Sequence, residues 1–368
     1  MTETPNGKEE PFVFQQSDFE KITTLVTAEF QIEESLMENG VPTYHLKQPQ
    51  ETKQPFLKLL KSLNSINLIA ALRRIDGRIV LRVIPKPPVK PSNVMINWIL
   101  FFATIATTFI TGYMLSLDVT NPFISGITFT IAIMTILGMH EMGHKLTADR
   151  KGIDATPPYF IPGPPPVGQI FGIGTFGAVI MQKSLPPNKD ALFDIGANGP
   201  LVGFILATVV SIVGLLISPI YPLTGNEVSI QVPLIFELFA MFIVNIPSGY
   251  YMLLHPVAFA GWVGMLVTML NLLPAAMLDG GHVSRSLFGE RTRTVLTFLS
   301  IILLVVEDFW PMAIFVLFIS MYRHPGPLDD VSALSRRRKL LAIGLIVVFV
   351  LCSYLHYYFL ALLHFLGL

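Results

Sequence analysis

The chain has 368 residues, 52% of them hydrophobic and 14% charged, with a mean hydropathy of +0.60. A water-soluble domain does not carry that balance, so the sequence reads as an integral, multi-pass membrane protein whose partner is the lipid bilayer. Its 25 basic and 25 acidic residues cancel, so no global charge argues for nucleic acid or an acidic substrate, and its single cysteine, Cys352, excludes an intramolecular disulfide or a cysteine metal cage.

Residues 1–92 hold 23 of the 50 charged side chains, so a small soluble domain and linker are expected before a membrane domain over 93–368. The opening MTETPNGKEEPF lacks a basic flank followed by an apolar core, and no cleaved signal peptide is expected. Ser17-Asp-Phe-Glu20 resembles a capping box opening a helix to about Ala28, and Phe56 to Leu63 shows helical apolar spacing. Between Leu68 and Ile84 two β-rich runs flank Asp76-Gly77, a hairpin signal. These elements predict an α+β domain, and the proline-rich KPPVKPS then leads into the membrane near Asn93.

Crossing the hydrocarbon takes ~20 apolar residues, and five runs qualify: about 96–117, 122–148, 192–217, 256–278 and 340–366. Shorter runs at about 233–247, 294–306 and 309–321 are ambiguous. Lysine and arginine favour the cytoplasmic side. They precede the first run (Lys86, Lys90), fill the loop after the second (Lys145, Arg150, Lys151, Lys183, Lys189) and follow Asp279 (Arg285, Arg291, Arg293). The loops 117–122 and 218–232 have none, and Glu307-Asp308 separates the last two short runs. The expectation is a polytopic α-helical protein of about 6–8 membrane segments, with a cytoplasmic N-terminus. The 233–247 run is then re-entrant or lies along one face. The membrane is the plasma membrane if the source is prokaryotic. RRRK at 336–339 is expected to anchor the last span to the inner surface.

Eighteen residues from Pro122 to Met139 hold no ionisable side chain, and His140, Glu141 and His144 then arrive within five positions. Residues four apart on an α-helix are offset by ~40°, so the two imidazoles share one face and can share a metal ion, with Glu141 beside them. This is the HExxH arrangement, in which two histidines bind zinc and the glutamate activates water. The bland alternative is that the histidines cap a span and Glu141 pairs with Lys145. Catalytic zinc usually takes a third protein ligand. The stretch NLLPAAMLDGGH (271–282) supplies Asp279 at matching depth, on a segment that Pro274 and Gly280-Gly281 leave free to unwind. Asp279 could instead cap the next helix. His282 is a weaker candidate ligand, and His255, 24 residues before Asp279, belongs at the opposite face.

At these residues the sequence resembles the site-2 protease family of intramembrane zinc metalloproteases, in particular its PDZ-lacking plant and prokaryotic branch. The matching pieces are HEMGHKLTADRKGI (140–153), GTFGAV (174–179), NGPLVGF (198–204), HPVAFAGWVG (255–264) and NLLPAAMLDGGH (271–282), with the core at about 120–295. The resemblance implies that His140, His144 and Asp279 hold Zn2+, that Glu141 is the general base, and that Asn271 helps bind the substrate carbonyl or the oxyanion. It also implies a membrane-embedded β-hairpin offering Gly174, Thr175, Phe176, Gly177 and Ala178 to an unwound substrate. The resemblance further implies transmembrane or membrane-anchored protein substrates, regulated release of a tethered factor being the family's usual purpose. One departure is Gly203, where relatives often carry asparagine three residues after Gly-Pro; Asn198 is a candidate substitute.

The same loop holds a literal GxGxxG, Gly172 to Gly177, but PPPVG precedes it and the β-prone AVI follows, so close backbone packing or strand bending explains it better than a dinucleotide. Pro162 to Pro166 reads as a rigid turn. The rival function is a metal transporter using HExxH for an ion in transit; few other ionisable groups lie in the spans to continue a path. No oligomeric state follows from the sequence.

Overall fold

The computed structural model describes residues 14–88, 91–116, 121–167, 172–225, 230–354 and 357. Most of the opening segment, the middle of the linker, parts of the 117–122 and 218–232 loops and most of the last apolar run beyond Tyr354 lie outside the described residues. The chain divides into two compact units.

The smaller unit gathers residues 1–89 with two later segments, 185–189 and 326–333. Helix α1 (Gln16–Glu29) is capped at Gln15, whose N–H donates to Asp18 Oδ2 at 3.1 Å. Ser17 therefore lies inside the first turn, and the cap sits two residues before the position expected. Strands β1 (Ile32–Glu38) and β2 (Val41–Leu46) form a hairpin beyond the elements expected. Its turn is Asn39-Gly40 with φ of 50° and 77°, the backbone a two-residue hairpin loop demands. Helix α2 (Lys53–Asn64) follows. The expected hairpin, β3 (Leu68–Ile75) and β4 (Arg78–Pro85), turns at Asp76-Gly77 with φ of 48° and 82°.

The sheet order is β1-β2-β4-β3, and Phe56, Leu59 and Leu63 of α2 join Tyr44, Leu72 and Leu81 in its core. At the β3 edge, the Leu72 N–H donates to the Leu328 carbonyl (2.9 Å), and the Asp330 N–H donates to that of Leu72 (3.1 Å). The Leu328 N–H in turn reaches Pro186 (2.8 Å), so residues 328–330 run beside β3 and link it to the 186–188 segment. Covering an edge this way satisfies backbone groups that would otherwise face open pairing.

The larger unit contains helices α3 (Val94–Met114) and α4 (Pro122–Arg150), then the antiparallel pair β5 (Tyr159–Pro162) and β6 (Thr175–Val179). Helix α5 (Lys189–Leu216), β7 (Ile220–Pro222), α6 (Leu234–Ile243), β8 (Tyr250–Met252) and α7 (Pro256–Leu272) follow. The chain continues through α8 (Asp279–Phe288), α9 (Glu290–Val306), α10 (Trp310–Ser320) and α11 (Arg336–Cys352).

By length and composition α3, α4 and α5 can cross a membrane, and their exposed faces carry large apolar residues such as Phe102, Ile131 and Ile205. Among the described residues these three meet that standard, where five runs were expected. The 256–278 run breaks at Leu272, because Pro274 has no N–H to continue the helix. The start of α4 was legible: Asn121 caps it, accepting from the N–H groups of Phe123 and Ile124, with Pro122 at the first helical position.

RRRK does more than face a lipid surface. Arg338 donates to both Asp194 carboxylate oxygens at 2.6 Å and to Asp190 at 2.9 Å, and Lys151 meets Asp194 at 2.8 Å, tying the start of α11 to α5 and to the end of α4. We expect Arg338→Ala to destabilise the protein in detergent by about 2 kcal/mol, allowing for partial exposure of the group. Thermal unfolding of the full chain beside Arg337→Ala, an exposed neighbour expected to change little, checks this.

Candidate metal centre

His140, Glu141 and His144 lie deep in α4, and all three side chains are buried. Asp279 opens α8, after the non-helical turn 273–278. Three donor atoms converge there. The two Nε2 atoms are 3.1 Å apart, and Asp279 Oδ2 is 3.2 Å from each. Donors on a tetrahedral zinc with bonds of ~2.0–2.1 Å stand about 3.3 Å from one another, so this near-equilateral triangle is the right size for the ion.

The hydrogen bonding suits the donor set. The His144 Nδ1–H donates to the Ile195 carbonyl at 2.7 Å, which leaves Nε2 as a bare acceptor aimed at the centre. Two nitrogen lone pairs and a carboxylate oxygen packed this closely repel one another unless a cation or proton lies between them. Among the described residues, His140, His144 and Asp279 form the one group able to hold a metal ion.

Helix α5 makes room for this. A Cβ on Gly199 would lie 2.0 Å from His144 Nε2, and one on Gly203 would lie 2.8 Å from His140 Nδ1. The four-residue spacing of these glycines therefore mirrors that of the histidines. Gly203, noted in the sequence only as a departure, is where a side chain would meet the His140 ring. Asn198 donates to Thr147 Oγ1 at 2.8 Å.

Asn271, in the last turn of α7, brings Nδ2 to 3.4 Å from His140 Nε2. His255 caps α7, its Nδ1 accepting from the Val257 N–H at 3.2 Å. His282 pairs with His324 at 2.7 Å and stands outside the donor triangle. His324, in the loop after α10, is pushed down to about 2 by burial and by the neighbouring His282 and Arg293, so it stays neutral.

The β5–β6 pair packs beside α3 and α4, and the Ile180 backbone just after β6 interacts with Glu141. Phe176 is 74% exposed and Gly177 has φ of 105° beside a register shift at Ile161/Pro162. Gly174 is different: its N–H donates to Pro164, and its carbonyl accepts from Thr107 Oγ1 (2.6 Å) and from Gly163. A Cβ on Gly172 would meet the Pro164 carbonyl at 2.2 Å. The GxGxxG glycines thus serve close packing and strand bending.

Paired histidines, an adjacent glutamate and a distant aspartate on apolar helices form a donor set that could hold a metal ion. Residues 128–306 match the family model described as Peptidase family M50, so this part of the chain is similar to that family. It is 30% identical over 248 residues to the probable zinc metalloprotease EGY1, chloroplastic, of Arabidopsis thaliana, covering 63% of this chain and 44% of the relative. It is 28% identical over 235 residues to the probable zinc metalloprotease EGY2, chloroplastic, of the same plant (61% and 40%). Against the probable zinc metalloprotease EGY1, chloroplastic, of Oryza sativa subsp. japonica it is 34% identical over 179 residues (46% and 29%). The chain thus spans less than half of the length of these curated relatives. No solved structure matches it.

The glycine cradle gives a graded expectation. Gly199→Ala should lower zinc affinity about tenfold or more, and Gly203→Ala less, because its clash is milder. Competition for zinc against a chromogenic chelator, in detergent, measures both.

Proposed function

We propose that this protein is an intramembrane zinc metalloprotease that hydrolyses peptide bonds of transmembrane or membrane-anchored proteins. The observation that carries this is the donor triangle of His140, His144 and Asp279, with Glu141 one residue from the first ligand on the same helix. The names of the relatives and the M50 domain support the same reading.

In this proposal His140, His144 and Asp279 hold the zinc. Bound there, the ion supplies Lewis-acid activation of water and of the scissile carbonyl. Glu141 takes a proton from the attacking water and delivers it to the leaving amine. The Asn271 amide donates to the substrate carbonyl oxygen or the oxyanion. His140 lies 18 residues into α4, ~27 Å along its axis, so the centre sits near one face of the hydrocarbon; the basic loops that follow make that face cytoplasmic.

Substrate reaches the centre along β6, which has β5 on one side and, among the described residues, no strand on the other. Gly174 seats the strand on α3, and Thr175, Phe176, Gly177 and Ala178 present the edge that an unwound substrate segment joins. The finer topology belongs to the same proposal: about 6–8 membrane segments, an embedded β5–β6 hairpin, and residues 1–92 on the cytoplasmic side. A transporter would need ligands continuing along a path, and the described residues hold one metal-binding group.

The test compares parent and Glu141→Gln, purified and incubated with a panel of single-span substrates. Equal zinc in both is expected, with cleavage by the variant lower by about 10³-fold. Retained cleavage would remove Glu141 from its role, and zinc flux in liposomes without cleavage would favour transport. Stripping zinc by chelation should also lower the melting temperature, because the ion binds the folded state.

A further inference from the structure

The turn between α7 and α8 holds a conformation its sequence disfavours. Ala276 has φ of 45°, the left-handed region that costs a non-glycine residue ~1–2 kcal/mol. It lies three residues before Asp279 and is fully buried.

Both backbone groups of Ala276 are held by side chains one turn apart on α9. Its N–H donates to Thr297 Oγ1 at 3.0 Å, and its carbonyl accepts from Arg293 Nη1 at 2.9 Å. Arg293 and Thr297 are themselves buried, at 3% exposure each. The guanidinium is oriented by Glu290, which accepts from Nε at 3.0 Å and from Nη2 at 2.7 Å. Glu290 also stands 3.2 Å from Arg285, on the helix that Asp279 opens. The contacts close a ring from the turn through α9 to α8.

We propose that Arg293 and Thr297 are positioning residues for Asp279. By clamping Ala276 in its left-handed conformation, α9 fixes the exit direction of the turn and so the place of Asp279 Oδ2 in the donor triangle. Because both partners come from one helix, the two hydrogen bonds fix the orientation of the Ala276 peptide units relative to α9 as well as satisfying them. The inference rests on the zinc reading above. It does not need proteolysis, because the clamp acts on metal affinity.

The experiment measures zinc dissociation constants by chelator competition, the visible spectrum of the cobalt-substituted protein, and thermal unfolding after zinc removal, all on the full chain in detergent. Thr297→Val, which keeps shape and loses the hydroxyl, should weaken zinc binding about tenfold and perturb the cobalt spectrum; Thr297→Ser should restore both. Adding Ala276→Gly to Thr297→Val should recover part of the lost affinity, since glycine adopts the left-handed conformation without a clamp. Arg293→Gln should act in the same direction as Thr297→Val.

Unchanged zinc affinity and cobalt spectrum in Thr297→Val would overturn the proposal. So would lost affinity that Thr297→Ser fails to rescue, or that merely follows a lower melting temperature of the zinc-free protein. A parent protein that binds no zinc at these residues overturns this inference and the protease reading together. One that binds zinc normally but cleaves nothing overturns only the protease reading.

Discussion

Everything at the centre depends on bringing three donor atoms to within 3.2 Å of each other inside apolar surroundings. Two imidazoles and a carboxylate are costly to bury, and close approach of their lone pairs adds repulsion. A divalent cation reverses the sign of both effects. The surrounding architecture serves this convergence: α4 supplies two donors from consecutive turns, a broken helix supplies the third, and α5 removes side chains where the rings must pass.

The break between α7 and α8 is as necessary as the motif on α4. An uninterrupted helix through 256–278 would carry Asp279 along its own axis, with no reason to turn toward His140. Pro274 ends the regular hydrogen bonding after Leu272, and Gly280 and Gly281 pack so tightly against the carbonyls of 272, 273, 275 and 276 that no Cβ would fit. Backbone groups freed in an apolar interior must find partners, and α9 provides them to Ala276. The same residues therefore answer a folding requirement and an aiming requirement.

The smaller unit shows a comparable economy. Its sheet would end at β3, yet residues 328–330 take up the hydrogen bonds of Leu72 and link to 186–188. Residues 185–189 run directly into α5, and 326–333 end two residues before α11. The N-terminal unit is thus completed by the two segments whose chain continues into helices of the larger unit. Arg338, at the start of α11, is then joined to Asp190 and Asp194 at the start of α5, so a basic cluster that composition alone assigns to a lipid surface is partly consumed inside the protein.

Local chemistry was legible in the sequence wherever one stretch of chain settles its own geometry. His140 and His144 share a helical face at any depth, and Asp76-Gly77 turns a hairpin; Asn121-Pro122 and Asn39-Gly40 carry local signals of the same kind, for a helix start and a second hairpin, outside the elements expected. Composition sufficed for an apolar, multi-helix protein, because burial in lipid needs no particular partner. Tertiary structure alone decided that His282 pairs with His324, that Gly199 and Gly203 face the two histidine rings, that Arg338 turns inward, and that Ala276 leans on α9. The reason is physical: each depends on a contact between residues far apart in the chain, and no periodicity within either segment records which distant surface it will meet.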